Sequence, residues 1–369
     1  PFLLTVFFFI WFLNMFGLTP LGVNVTGNIA VTAALAVMPS NTISVFLDRP
    51  LNRGKSLYIK DAAHYAVDTL KELGREVLQI ECDVEYVRKP TGFPVDTEMD
   101  LPATAAIPAI LAANDQKIDA IAFGVIAESA YMIGHEKYAD FGLSKHYKLW
   151  GGVFSAAGLP YMPVVAGISE VGTSIICMRN DIGHVAQSCM RGGVRQPCMN
   201  CMKCFRKTLL EKAILNEDID DKLLEGLFSS KEVQRVISKV PIKHENVFRY
   251  VFQAYGGENK LMLALRDRVH AGLAGHINIE WLAKWYPKSI ELIPSKYRRE
   301  VKNNILNMLD EMSVEEISKL EGWDETLRIK SAEINTMSIS LTKILGDPME
   351  GIVFEKNGWW RKFLRLLRK

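Results

Sequence analysis

The sequence predicts an α/β fold, a parallel sheet with helices on both faces. A four-cysteine metal knuckle, an all-α C-terminal part and an apolar N-terminal helix are expected to accompany it. Three observations predict this. Short apolar, β-branched runs alternate with amphipathic runs between residues 42 and 167, the pattern of strands joined by crossover helices. Four of the six cysteines fall within the sixteen residues 189–204. Charge is distributed unevenly: residues 1–47 hold no Asp, Glu, Lys or Arg, so all 86 charged residues lie in the remaining 322.

The elements follow in order. TISVFLD (42–48) ends an apolar run on a charge, as a buried parallel strand does. KDAAHYAVDTLKELG (60–74) is an amphipathic helix closed by Gly74. EVLQIECDVEYV (76–87) is a second strand, PATAAIPAILAAND (102–115) a helix and DAIAFGVIAES (119–129) a further strand. LSKHYKLWGGVFSAAG (143–158) is helical in part and YMPVVAG (161–167) strand-like. From Asn216 onward the pattern is helical, with Ser313 and Glu316 spaced as a capping box. The expected divisions are an apolar, membrane-span-like segment (1–37), an α/β domain with its metal site at 187–207 (38–215), and an α-helical region (216–369).

In open parallel sheets, ligands bind beyond the carboxyl ends of the strands. That rule singles out Asp48 and Arg49, Asp83 and Glu85, and Gly124, Glu128 and Ser129, although charged residues also end strands simply where a loop meets water. His135 and Glu136 sit on an expected loop. The formal charge of +2 makes no general case for nucleic acid.

The cysteines Cys189, Cys198, Cys201 and Cys204 have the spacing C-x8-C-x2-C-x2-C. Tight two-residue gaps suit a metal better than independent disulfides, and four sulfurs fill a tetrahedral site without leaving room for water. A structural Zn2+ is expected, with a [4Fe–4S] cluster as the alternative. Cys82 and Cys177, in apolar runs, read as buried unligated thiols.

Pro1–Leu18 is almost continuously apolar, with six Phe and one Trp, and is expected to reach the lower limit of a membrane span. No basic stretch precedes it, and the chain opens on Pro rather than Met, from which a fragment is expected. Asn14, Gly17, Leu18, Pro20 and Asn24–Thr32 make residues 1–37 resemble the a subunit of bacterial F-type ATP synthase. The later helices of that family are absent, so a proton channel is not expected.

The body bears a second resemblance. An α/β pattern, Gly124-x3-Glu128-Ser129, SEVGTSII, then Ser188–Cys189, Cys198, Cys201, Cys204 and Arg206 make residues 32–215 resemble the PP-loop ATP pyrophosphatases, in particular the 7-cyano-7-deazaguanine synthase group. The resemblance implies a PP-loop/HUP-like fold, a helix at 169–176 leading to the cysteines, ATP and Mg2+ as cofactors, and adenylation of a small molecule or a tRNA-related base. On that basis Gly27, Asp48, Arg49, Gly124, Glu128 and Ser129 are the expected ATP-binding residues. The family's S-G-G-x-D-S loop belongs at 26–31, where this chain has Thr26, Gly27, Asn28, Ile29, Ala30 and Val31. Ala30 and Val31 cannot donate to phosphate or bind magnesium, so activity is expected to be impaired, and the two resemblances meeting in AVTAALAV suggest a chimera. The alternative is a non-catalytic, zinc-stabilised domain attached to a membrane by its N-terminal segment. The globular body is expected in the cytoplasm, Lys203, Arg206 and Lys207 face water, phosphate or RNA, and no segment points to a protein partner. NGWWRKFLRLLRK (357–369) has the pattern of a basic amphipathic helix.

Overall fold

A computed structural model describes residues 29–48, 60–81, 109–134, 137–189, 191–273 and 278–346. Helices dominate. In chain order the elements are α1 (Ile29–Val37), β1 (Ser44–Asp48), α2 (Lys60–Glu72), β2 (Val77–Glu81), β3 (Ile121–Ala122), α3 (Ala127–Ala130), α4 (Lys145–Ala156), β4 (Tyr161–Met162) and α5 (Glu170–Arg179). They continue as α6 (Met202–Leu215), α7 (Asp221–Phe228), α8 (Lys231–Ile237), α9 (Glu245–Ala254), α10 (Lys260–His270), α11 (Ser295–Leu306), α12 (Val314–Glu321) and α13 (Ala332–Leu345).

The expected α/β sheet with helices on both faces, PP-loop/HUP-like in form, is not what these residues build. The described strands pair only as two separate parallel ribbons, β1 with β2 and β3 with β4. The second ribbon is two residues long, Ile121 opposite Tyr161 and Ala122 opposite Met162. Its shortness has a local cause. Pro163 follows β4 directly and has no N–H with which to extend a ladder. Past β3 the chain crosses α1 so closely that a Cβ on Gly124 would lie 2.9 Å from the Ala30 carbonyl carbon. Apolar runs such as FGVI and PVVAG therefore become core-lining loops and a short helix rather than central strands.

The core is mainly helical. In α5 every residue from Glu170 to Cys177 is buried, the mark of a helix enclosed on all sides. Its partners are α1 and the single turn Glu280–Ala283. Gly172 sits in a crowded position: an added Cβ would fall 2.7 Å from Ile168 Cγ2 and 3.6 Å from Leu282 O of that turn. α6 buries Met202, Phe205, Leu209 and Leu210 on one stripe, and α9 answers with Val247, Phe248, Val251 and Phe252. Phe205 sits between Phe228 and Phe248, at centroid distances of 4.9 and 5.8 Å.

Several local expectations hold. The predicted helices at 60–74, 143–158 and 169–176 form, as α2, α4 and α5. Gly74 lies past α2 with φ +74°, and Ser313 with Glu316 makes the reciprocal capping box of α12. The region after Asn216 is helical through α13. Among the described residues no helix is long and apolar enough to cross a membrane. The segment 1–18, for which a span was expected, lies outside them, as do Cys82, Asp83, Glu85, His135, Glu136 and the basic run 357–369.

Candidate metal centre

The four clustered cysteines come together. Their Sγ atoms all lie within 4.8 Å of one another. Cys201 to Cys204 is 3.5 Å and Cys198 to Cys204 is 3.8 Å. A tetrahedral ion with metal–sulfur bonds of ~2.3 Å needs sulfur–sulfur edges of about 3.8 Å. The donor set thus fits one ion, and it contains no carboxylate or imidazole.

Local folding explains the convergence. Cys201 is the N-cap of α6, accepting the N–H of Cys204 on its sulfur at 3.5 Å. Met199 takes a left-handed backbone, φ 51°, which turns the chain between Cys198 and Cys201. The Asn200 N–H then points at Cys198 Sγ, 3.4 Å away. Across the cluster the Cys198 N–H donates to Cys189 Sγ at 3.2 Å. The intervening loop doubles back so tightly that a Cβ on Gly192 would lie 1.8 Å from the Gln196 carbonyl oxygen. Gln187 binds this loop through Cys189 O, Gly193 O and the Arg195 N–H. The knuckle is fastened to the body by Glu232 of α8, which accepts the Met202 N–H and pairs with Arg191.

These contacts favour thiolate at Cys201 and Cys189 and the thiol at Cys198 and Cys204. Cys201 is drawn down to about 5, first by its hydrogen bond with Cys204 and then by backbone N–H groups. Burial opposes ionisation of Cys189, yet the N–H groups of Cys198, Arg191 and Gly192 lower it. Cys204 is correspondingly pushed up by its hydrogen bond with Cys201 and by burial. Cys177 behaves differently: burial pushes its thiol up to about 12, and it donates to Ile29 O at 3.5 Å.

Next to the knuckle, α6 carries Arg206 and Lys207 onto a pair of buried carboxylates that sequence reasoning only half found. Glu128 is fully buried and accepts the Glu170 N–H on both oxygens, at 2.9 and 3.0 Å, and Asn246 Nδ2 at 2.9 Å. Burial and then the Glu170 charge raise its carboxyl to about 7. Glu170 meets Arg206 Nε at 2.9 Å, Lys207 Nζ at 2.8 Å and His244 Nδ1 at 3.4 Å. Burial opposes its charge, but Arg206, Lys207 and His244 outweigh that and hold it far below the carboxylate range. The structure shows Ser169 to be the N-cap of α5, accepting the Val171 and Gly172 N–H groups, with Glu170 at the first helical position. Its burial, and the approach of His244 and Asn246 from α9's start, had no local signal.

Of the six residues expected to bind ATP, Asp48, Gly124, Glu128 and Ser129 are among the described residues. Gly27 and Arg49 lie outside the described residues. Asp48 is engaged by His64 at 3.0 Å, Gln79 at 2.9 Å and Lys60 at 3.7 Å within the β1–β2 ribbon. Although burial works against it, those bonds hold its carboxyl below the usual range. Glu128 is sealed inside, Gly124 is pressed on α1, and Ser129 is exposed. Nothing in this arrangement supports ATP or Mg2+.

A second buried ion cluster joins two helices and a turn far along the chain. Arg249 holds Glu325 at 2.7 and 2.9 Å, Arg268 reaches Glu245 at 3.4 Å, and Arg328 pairs with both Glu245 and Glu325. All five residues are buried. Each charge has an opposite partner, and the cluster reads as a tie between α9, α10 and the turn before α13.

Comparison with known proteins overturns the PP-loop reading. A family model described as a family of unknown function (DUF6395) matches residues 149–324, the stretch holding the metal knuckle, α5 to α12 and most of α4. No solved structure matches. ATP synthase subunit a of Myxococcus xanthus (strain DK1622) is 65% identical over 37 residues, 10% of this chain and 12% of that protein. The four-cysteine centre thus lies within the stretch shared with a family whose function is unknown.

Proposed function

We propose that Cys189, Cys198, Cys201 and Cys204 form a structural tetrathiolate zinc site whose role is to fix the start of α6 against α8 and the loop 189–201. The carrying observation is the close approach of the four sulfurs, all within 4.8 Å. Zinc is favoured over a [4Fe–4S] cluster by that same spacing. Four irons, each bound to its own cysteine, would hold the thiolates farther apart than a single ion does. With every position taken by sulfur, no site remains for a reacting water. The bound ion supplies folding free energy and holds α6 in register. The residues themselves do the rest: backbone N–H groups orient the sulfurs, and Glu232 ties the knuckle to the helical body.

Cys201→Ser and Cys189→Ser test this. Each is expected to purify with less than one metal per chain and to melt well below the parent, because loss of a structural metal removes several kcal/mol. Cys177→Ser is expected to keep the metal. A parent chain lacking bound metal, or cluster variants with unchanged metal content and melting, would overturn the assignment. Visible absorption typical of iron–sulfide charge transfer would replace zinc by the cluster.

A further inference from the structure

We infer that Arg206 is the anchor of a binding site for the phosphate group of a small molecule, built on α6 one turn beyond the metal knuckle. The guanidinium is held on one side only. Its Nε bonds Glu170 Oε1 at 2.9 Å, and among the described residues its terminal N–H groups meet no acceptor. The side chain is 11% exposed, and those nitrogens are not sealed from solvent. A guanidinium fixed through Nε and open at both terminal nitrogens presents the fork that a phosphate accepts in two parallel hydrogen bonds.

The surroundings favour an anion. Lys207 shares the Glu170 oxygen and also donates to Ser174 Oγ at 3.3 Å. Lys203, one turn back on α6, is exposed and lies within electrostatic reach of Arg206 and of Lys243. Facing these four cations and His244 are Glu170, the buried Glu128 and the Cys201 sulfur. Glu170 answers part of the charge of Arg206 and Lys207 but cannot reach the outer fork. That fork is oriented at no further entropic cost, since Glu170, buried at the start of α5, already fixes the side chain.

The site does not depend on which metal the cysteines hold, but it does share α6 with them. The test is therefore made on full-length protein of measured metal content. Inorganic phosphate is titrated at constant ionic strength and followed by 31P NMR or calorimetry, with acetate and sulfate as comparison anions. Saturable phosphate binding is expected, with sulfate competing and acetate weak. Arg206→Lys, which keeps the charge and loses the fork, is expected to weaken binding about tenfold or more. Lys243→Gln, an exposed change that removes one neighbouring positive charge without touching the fork, is expected to weaken it severalfold without altering folding. Non-saturable phosphate binding, or unchanged affinity in Arg206→Lys, overturns the site. If Arg206→Lys fails to fold, unchanged affinity in Lys243→Gln overturns it instead. Phosphate binding by metal-free protein would sink the zinc assignment and leave this site standing; metal without phosphate binding would do the reverse.

Discussion

Glu128 and Glu170, linked by the Glu170 backbone N–H to the Glu128 carboxylate, show how two neighbouring buried carboxyls are driven to opposite states. Glu170 has three cationic groups and stays ionised; Glu128 has burial and a neighbouring negative charge, and titrates near 7 instead of 4.5. The signs follow from linkage. A carboxyl raised in the folded state binds its proton more tightly there, so Glu128 makes stability fall as pH rises from about 4.5 to about 7. Glu170, depressed by its partners, contributes stability above its ordinary range, and that contribution is lost on acidification. Glu128→Gln mimics the protonated form. Denaturant unfolding from about pH 5 to about pH 8 is expected to show a flatter profile for this variant, more stable than the parent by on the order of 1 kcal/mol at the alkaline end. Parallel profiles for the two proteins would show that Glu128 does not titrate there. Of this pair the sequence singled out only Glu128, as a strand-end residue, and gave no separate signal for Glu170. What they share is a contact between positions 42 residues apart, which no local pattern encodes.

At the scale of the element, helices were legible wherever a cap or an amphipathic stripe marked them. Ser313 and Glu316 announced α12, and Gly74 closed α2. Strands were over-read, because a short apolar run has the same appearance whether it pairs, lines a core as a loop, or enters a helix. DAIAFGVIAES contains β3 for two residues and then α3; the difference comes from α1 crossing Gly124 and from Pro163 ending the partner strand. The cysteine knuckle was the most legible element, since its spacing alone restricts four thiols to one centre, whereas its anchor Glu232 lies 28 residues beyond Cys204 in the sequence. Capping energetics give a direct check. Ser313→Ala removes the side chain that accepts the Glu316 N–H and is expected to cost about 1 kcal/mol by thermal or denaturant unfolding. An unchanged midpoint would show that α12 is held by packing alone.

For the whole molecule, α6 is the shared member of the arrangement. Its first turn holds two of the four sulfurs, its second presents Arg206 and Lys207 to Glu170, and its apolar stripe packs on α9. Phe205, fully buried between Phe228 and Phe248, ties these roles together; Phe205→Ala is expected to cost about 3–5 kcal/mol and to loosen metal binding with it. Full metal retention alongside such a loss of stability would separate the knuckle from the core. The central claim is that one zinc ion sits among four thiolates, and X-ray absorption at the zinc edge of the full-length protein tests it most directly. The account predicts one zinc per chain with four sulfur neighbours at ~2.3 Å and no lighter ligand. Nitrogen or oxygen in the coordination shell, or protein that carries no zinc while its cluster thiols remain free, would contradict it.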